Sequence, residues 1–191
     1  ATGANASLVF SRKSGKSLAD GVPGLFSYEG YYNYFSQASA EAALQLTSES
    51  AWVLGQDLKE NQLIGGLRNG TQVIDDVRRL YLNEYAQIWE TFINDIRLIR
   101  PKSLQESTQL ARLLSANDSP LPILLRAITK EVTLVNIDES EKGIVDKAED
   151  RVQSVRDKLE ALLGKAGKEI PTIKTVSGPE SIVDNRFKEL R

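Results

Sequence analysis

Between Thr71 and Arg97 apolar residues return every three or four positions: Ile74, Val77, Tyr81, Tyr85, Ile88 and Phe92. That spacing is the period of one face of an α-helix. Val73, Leu80, Trp89, Ile93 and Ile96 widen the stripe, so the helix is expected to be buried on more than one side. At about 1.5 Å per residue the segment makes a rod roughly 40 Å long, a spine on which the rest of the chain must pack. Asp75-Asp76 reads as an acidic first turn, with Asp75 and Arg79 spaced for an i,i+4 pair. Pro101 ends the helix, because the residue before a proline is pushed out of the helical region.

Other elements group around this spine. Residues 7–10, Ser-Leu-Val-Phe, read as an isolated strand or an extended lead-in. A helix is expected to begin between Glu29 and Asn33 and to run through the alanine-rich 38–46. Residues 56–71, with Gly65-Gly66 and Asn69-Gly70, read as a loop. Ser103-Leu-Gln-Glu106 is a capping-box pattern that opens a helix to about Ser115. Ser119-Pro120 starts another, to about Val132, with serine as cap and proline in the first turn. Val145, Ala148, Val152, Val155, Leu159 and Leu162 then step 3-4-3-4-3 between alternating charges, too briefly for a coiled coil. Packing of that helix on the same bundle is the favoured reading. The tail, with Gly167, Pro171, Gly178 and Pro179 around Thr172–Val176, reads as a lone strand or a linker.

The fold class is therefore mainly α: a helical bundle around one long central helix, with a few short extended segments. Four divisions follow. Residues 1–30 form an extended lead-in and a glycine/aromatic loop, and 31–135 the helical bundle. Residues 136–166 form an amphipathic helix packed on it, and 167–191 a linker or strand.

The loop is the most unusual stretch. Residues 20–35 hold Gly21, Pro23, Gly24 and Gly30 together with Phe26, Tyr28, Tyr31, Tyr32, Tyr34 and Phe35. A solvated linker has no use for so many rings. The expectation is a shaped loop whose rings are pinned onto the helical body, with tyrosine hydroxyls at a wet edge. Some of Tyr28, Tyr31, Tyr32 and Tyr34 must face outward if the segment is helical, which makes these four the candidate partner interface. Trp52 and Trp89 are read as core anchors.

Composition removes most chemistry. The chain has no histidine and no cysteine, so no Ser-His-Asp triad, cysteine nucleophile or Cys/His metal site can be built, and neither a metal nor a cofactor is expected. Its 24 basic and 26 acidic residues give no footprint for nucleic acid. Gly15-Lys-Ser17 resembles the end of a phosphate-binding loop, but the required earlier glycine is Phe10. Glu84, Glu90 and Asp95 read as solvated, or paired with Arg78 and Arg97. The absence of methionine suggests an internal or processed segment, and no apolar run reaches the ~20 residues of a membrane helix.

An ordered series of blocks carries a resemblance. Val9-Phe10, Arg12, Ser14-Gly15, Gly21-Val-Pro-Gly-Leu-Phe26 and Gly30-Tyr31 come first. Trp52-Val-Leu-Gly55, Leu80-Tyr-Leu-x-Glu-Tyr85, Trp89 and Asp95-Ile-Arg-Leu98 follow. Ser119-Pro-Leu-Pro-Ile-Leu-Leu125 and Glu131-x-Thr-Leu134 complete it, with a weaker echo in Val183-Asp184 and Phe187. The chain resembles the C-terminal periplasmic region of the IcmF/TssM family, the inner-membrane subunit of type VI secretion systems. Ser27 stands where the family pattern has threonine.

The resemblance implies a structural, non-catalytic module in the periplasmic portion of an inner-membrane protein. It implies an outer-membrane lipoprotein, sister subunits and a second inner-membrane subunit as partners. Lipoprotein contact belongs mainly to a C-terminal β domain that should follow Arg191, and no lipoprotein-binding residue carries over to this chain. The competing readings are an unrelated helical adaptor that uses the 145–162 seam and a periplasmic hydrolase that uses paired carboxylates.

Overall fold

A computed structural model of the chain describes residues 6–39, 41, 42, 45, 60–135, 150, 154 and 178–190, with side chains from 75 onward in the second long stretch. The fold is mainly α, and extended structure among the described residues is one pair of three-residue strands. Trp52 and the 145–162 seam lie outside the described residues.

The central helix α2 runs from Glu60 to Asp95, 36 residues, or roughly 54 Å at the helical rise. It therefore starts eleven residues before the position that the turn dipeptides suggest. Gly65-Gly66 and Asn69-Gly70 are helical, which corrects the loop reading of 60–70. Each glycine costs ~1 kcal/mol in a helix, but propagation from an established helix adds one hydrogen bond per residue ordered. Asp75 and Asp76 thus sit mid-helix and exposed rather than in a first turn. The buried face is also rotated from the predicted one. Tyr81, Leu82, Tyr85, Ala86 and Trp89 are buried, whereas Val77 and Leu80 are 42% and 70% exposed.

The helix ends by turning directly into a strand. Strand β2, Ile96–Leu98, pairs antiparallel with β1, Phe10–Arg12, in the register Phe10↔Leu98, Ser11↔Arg97, Arg12↔Ile96. Flanking bonds from Ile99 N–H to the Val9 carbonyl (2.9 Å) and from Lys13 N–H to the Asp95 carbonyl (2.8 Å) extend the ladder. The expected isolated strand at 7–10 is therefore displaced: Ala6–Val9 is one helical turn, α1, and the strand that follows is paired.

The hairpin at 103–131 matches its sequence signals closely. Helix α3, Leu104–Ser115, begins with the Ser103 hydroxyl accepting from Glu106 N–H at 3.1 Å. Glu106 in turn accepts from Lys102 N–H at 2.6 Å. Helix α4, Pro120–Glu131, starts where expected, but the buried Ser119 hydroxyl makes no cap bond. Leu124, Ile128, Val132 and Leu134 carry the α4 side into the core.

The described part of the tail includes a short helix, α5, Ser181–Arg186; the Thr172–Val176 piece read as a lone strand or linker lies outside the described residues. Val183 and Phe187 are buried in the same core as the aromatic loop, so residues 178–190 are part of the bundle.

Glycine is required at position 30. A Cβ there would lie 2.5 Å from the Leu25 carbonyl oxygen and 2.8 Å from its carbon, both backbone atoms that cannot rotate away. Gly30→Ala is expected to lower stability by about 1–3 kcal/mol, read as a shift of the urea midpoint with unchanged slope. An unshifted midpoint would mean that the loop is not held against this turn.

Candidate functional site

The aromatic loop and the elements that close over it form the most organised region. A 3-10 turn at Gly24–Phe26 leads to Ser27, whose hydroxyl accepts from Gly30 N–H at 3.0 Å and caps the next helical segment. A threonine would offer the same hydroxyl, so the departure at Ser27 keeps the cap. The segment Gly30–Phe35 is a π-helical turn, wider than an α-helix.

Tyr31, Tyr32 and Phe35 turn inward onto the core, and Tyr34 does not. Phe35 and Tyr81 stack with centroids 3.8 Å apart, Tyr31 lies 5.8 Å from Tyr81, and Phe26 lies 5.4 Å from Tyr81. Tyr28 and Tyr31 each contact Tyr32, at 4.9 and 4.8 Å. Offset and edge-to-face packing of this kind adds about 0.5–1.5 kcal/mol per pair beyond burial. The rings are pinned as the sequence predicts.

The hydroxyls of Tyr28, Tyr31 and Tyr32 are not at a wet edge, which corrects the expectation for these three, whereas Tyr34 is exposed. The Tyr81 hydroxyl donates to the Leu25 carbonyl, and Trp89 Nε1–H donates to the Phe26 carbonyl at 2.8 Å. Tyr85 donates to the Glu131 carbonyl and Tyr32 to the Leu134 carbonyl, each at 2.7 Å. Burial pushes the phenols of Tyr31, Tyr32, Tyr81 and Tyr85 above their usual range, so they stay neutral donors. The loop and the end of α4 would otherwise bury carbonyls without partners.

Three carboxylates bind the remaining strands of chain together. Glu131 accepts from Tyr28 N–H at 2.7 Å. Asp184, only 6% exposed, accepts from Leu134 N–H at 2.7 Å and from Val135 N–H at 3.3 Å. Glu180 accepts from the Tyr31 hydroxyl and pairs with the Arg78 guanidinium, which also donates to Tyr31 at 2.8 Å. The Arg78 pairing was expected with an acid of α2 and occurs instead with the tail.

Of the four candidate interface tyrosines, Tyr28, Tyr31 and Tyr32 are 1%, 0% and 9% exposed and serve the core. Tyr34 points outward at 70% exposure. Sequence reasoning missed Glu180 and Asp184 as structural groups, and it named Arg78 with the wrong partner. Only the Val183-Asp184 echo hinted at the last.

A second clasp closes the opposite end of α2. Asp95 accepts from the Ser14 hydroxyl (2.6 Å), Ser14 N–H (2.7 Å) and Arg12 Nε (2.6 Å). Arg12 also lies 5.0 Å over the Phe92 ring. The intervening Gly15 has φ +76°, a left-handed conformation suited to glycine. The turn at 12–15 that leads into the Gly-Lys-Ser stretch is thus held by a carboxylate, and no helix opens from the stretch. Asp95, expected to pair with Arg78 or Arg97, pairs with Arg12, while Glu90 pairs with Arg186 at 2.7 Å.

A family model described as IcmF-related, "Intracellular multiplication and human macrophage-killing", matches residues 1–133. The chain belongs to the IcmF-related family. It is 34% identical over 166 residues to the type VI secretion system component TssM1 of Pseudomonas aeruginosa, covering 86% of this chain and 14% of that relative. The chain thus spans about one-seventh of the relative's length. No solved structure matches it. The matched residues end at 133, within the backbone turn that Tyr32 and Asp184 tie down.

The bonds to Asp95, first from the Ser14 hydroxyl and then from Arg12, hold its carboxyl down to about 2. A depressed folded-state value adds stability above the unfolded carboxylate value of about 3.9, and that stability is lost as pH falls towards 2. Asp95→Asn should therefore be less stable than the native chain at pH 7, with the gap closing between about pH 4 and pH 2. Denaturant midpoints of the two proteins across that range provide the measurement. A gap independent of pH would rule out the clasp as a charge interaction.

Proposed function

We propose that this chain is a structural, non-catalytic module of a type VI secretion membrane complex, placed in the periplasmic portion of an inner-membrane protein. One observation carries the non-catalytic part. Among the described residues, the carboxylates that the fold draws inside or half inside, Glu90, Asp95, Glu131, Glu180 and Asp184, all accept hydrogen bonds from the chain's own backbone or side chains. A carboxylate-based hydrolase needs two such groups open to one cleft, one as acid and one as base or nucleophile. Here they serve as internal fasteners.

Family membership and the similarity to a protein named as a type VI secretion component support the setting. Among the described residues no helix is long and apolar enough to cross a membrane. The module's task is to hold a rigid helical platform beside the partners of the complex: sister subunits, a second inner-membrane subunit and an outer-membrane lipoprotein. We assign the lipoprotein contact mainly to a C-terminal β domain of the family rather than to this chain. Tyr34 is the one of the four tyrosines available for partner contact. The alternative of an unrelated adaptor rests on the 145–162 seam, and the family match favours the secretion reading.

The reading is tested by excising this segment from the full-length protein that carries it, in the secreting bacterium. Effector secretion should be lost and copies of the subunit should no longer co-purify, while capture of the lipoprotein persists. Unimpaired secretion after excision, or release of soluble fragments from peptidoglycan by the purified chain, would refute it.

A further inference from the structure

Helix α2 is much longer than the core it serves. Among the described residues, its bonds and ring contacts to other elements begin at Arg78, with Glu180 and Tyr31, and at Tyr81, with Phe35 and Phe26. The helix nevertheless continues back to Glu60, about 27 Å further. The helical period places positions Leu63, Leu67 and Ile74 on the face of Tyr81 and Tyr85. Val77, beside that face, is 42% exposed. An apolar face of this length needs an apolar cover, because helices draw most of their stability from packing.

Residues 136–177 depart from and return to the place where this half of α2 begins. Val135 N–H is bonded to Asp184 at 3.3 Å, and Glu180, just after Gly178, pairs with Arg78. Within that excursion Val145, Ala148, Val152, Val155, Leu159 and Leu162 repeat at the helical period over about 25 Å, which matches the Glu60–Val77 stretch. Asp150 and Ser154 are helical and exposed, and the period puts both on the side away from this seam. Extended chain reaches about 30 Å over residues 136–144 and about 50 Å over 163–177, so a helix laid along α2 can be joined to both anchored ends. The alanine-rich 38–46, which also departs near Tyr81, has only Leu44 and Leu46 as large apolar residues and no three-four repeat.

We propose that the 145–162 seam of this chain docks along the Glu60–Val77 half of α2, antiparallel to it. The direction follows from the anchors. Helix α2 runs towards Arg78, whereas the excursion starts beside Arg78 and runs away from it. Ala148 then lies near Ile74, and Leu159 near Leu63. Two stripes of this kind stay in contact along their length when the helices cross at about 20°. The seam is then engaged inside the chain and closed to a partner helix, and the module carries a two-helix arm of about 25 Å beyond the aromatic loop. This goes beyond the platform reading and does not depend on it.

The chain has no cysteine, so single pairs can be placed and joined with a short bis-maleimide in dilute solution. Leu63→Cys with Leu159→Cys should link within one chain, read by intact mass and gel mobility. Leu63→Cys with Val145→Cys should not, because the antiparallel arrangement sets those positions about 21 Å apart along the axis. Hydrogen exchange of Val152→Asp with Leu159→Asp is the second measurement. Amides of 60–74 should exchange at least about ten-fold faster than in the native chain, while those near Tyr85 change much less. A 63–145 link in place of 63–159, no link from either pair, links only between chains, or 60–74 amides unmoved by the aspartates would each overturn the docking. Links only between chains would assign the face to a second copy.

Discussion

Everything in this fold depends on ring tips that carry hydrogen-bond donors. An irregular loop cannot be buried against a helix unless its carbonyls find partners, because each orphan costs about 1–3 kcal/mol. Here α2 supplies those partners from the far ends of its own core residues, Tyr81 to Leu25 and Trp89 to Phe26. The same rings supply the apolar contact that makes burial favourable. Replacing them with aliphatic residues would keep the hydrophobic stripe and lose the loop.

The second layer of order comes from carboxylates that reach across long sequence distances. Asp184 ties the tail to residues 134 and 135, Glu180 ties it to Tyr31 and Arg78, and Asp95 ties the end of α2 to the turn after β1. These bonds join segments that local sequence signals treat as separate. The 178–190 tail is therefore a structural part of the bundle.

How much was legible in the sequence follows from this division. The helical period of 81–92, the capping box at Ser103–Glu106 and the Ser119-Pro120 start are local signals, and the structure agrees with them. The start of α2 at Glu60 was hidden because Gly65-Gly66 and Asn69-Gly70 are strong turn dipeptides taken alone. Helix propagation outweighs them. The pairing of β1 with β2 was invisible, since three-residue strands 84 residues apart leave no periodic trace. The tyrosines divide the same way: aromatic clustering announced a pinned loop, but only the fold shows that Tyr28, Tyr31 and Tyr32 face inward and Tyr34 outward. Ion-pair partners were the least predictable feature, because Arg78, Asp95 and Glu90 all choose partners distant in sequence.

The central claim is that donor-tipped rings of α2 hold the 24–35 segment rigid, and native-state hydrogen exchange with Tyr81→Phe tests it most directly. In the native chain the amides of Phe26, Ser27 and Tyr31, bonded to Pro23, Gly24 and Ser27, should exchange about as slowly as those of α2 near Tyr85. Tyr81→Phe keeps the ring and removes one donor, so these loop amides should exchange about ten-fold faster while the α2 amides change much less. Loop amides that already exchange at free-peptide rates in the native chain, or that are unmoved by Tyr81→Phe, would contradict the account.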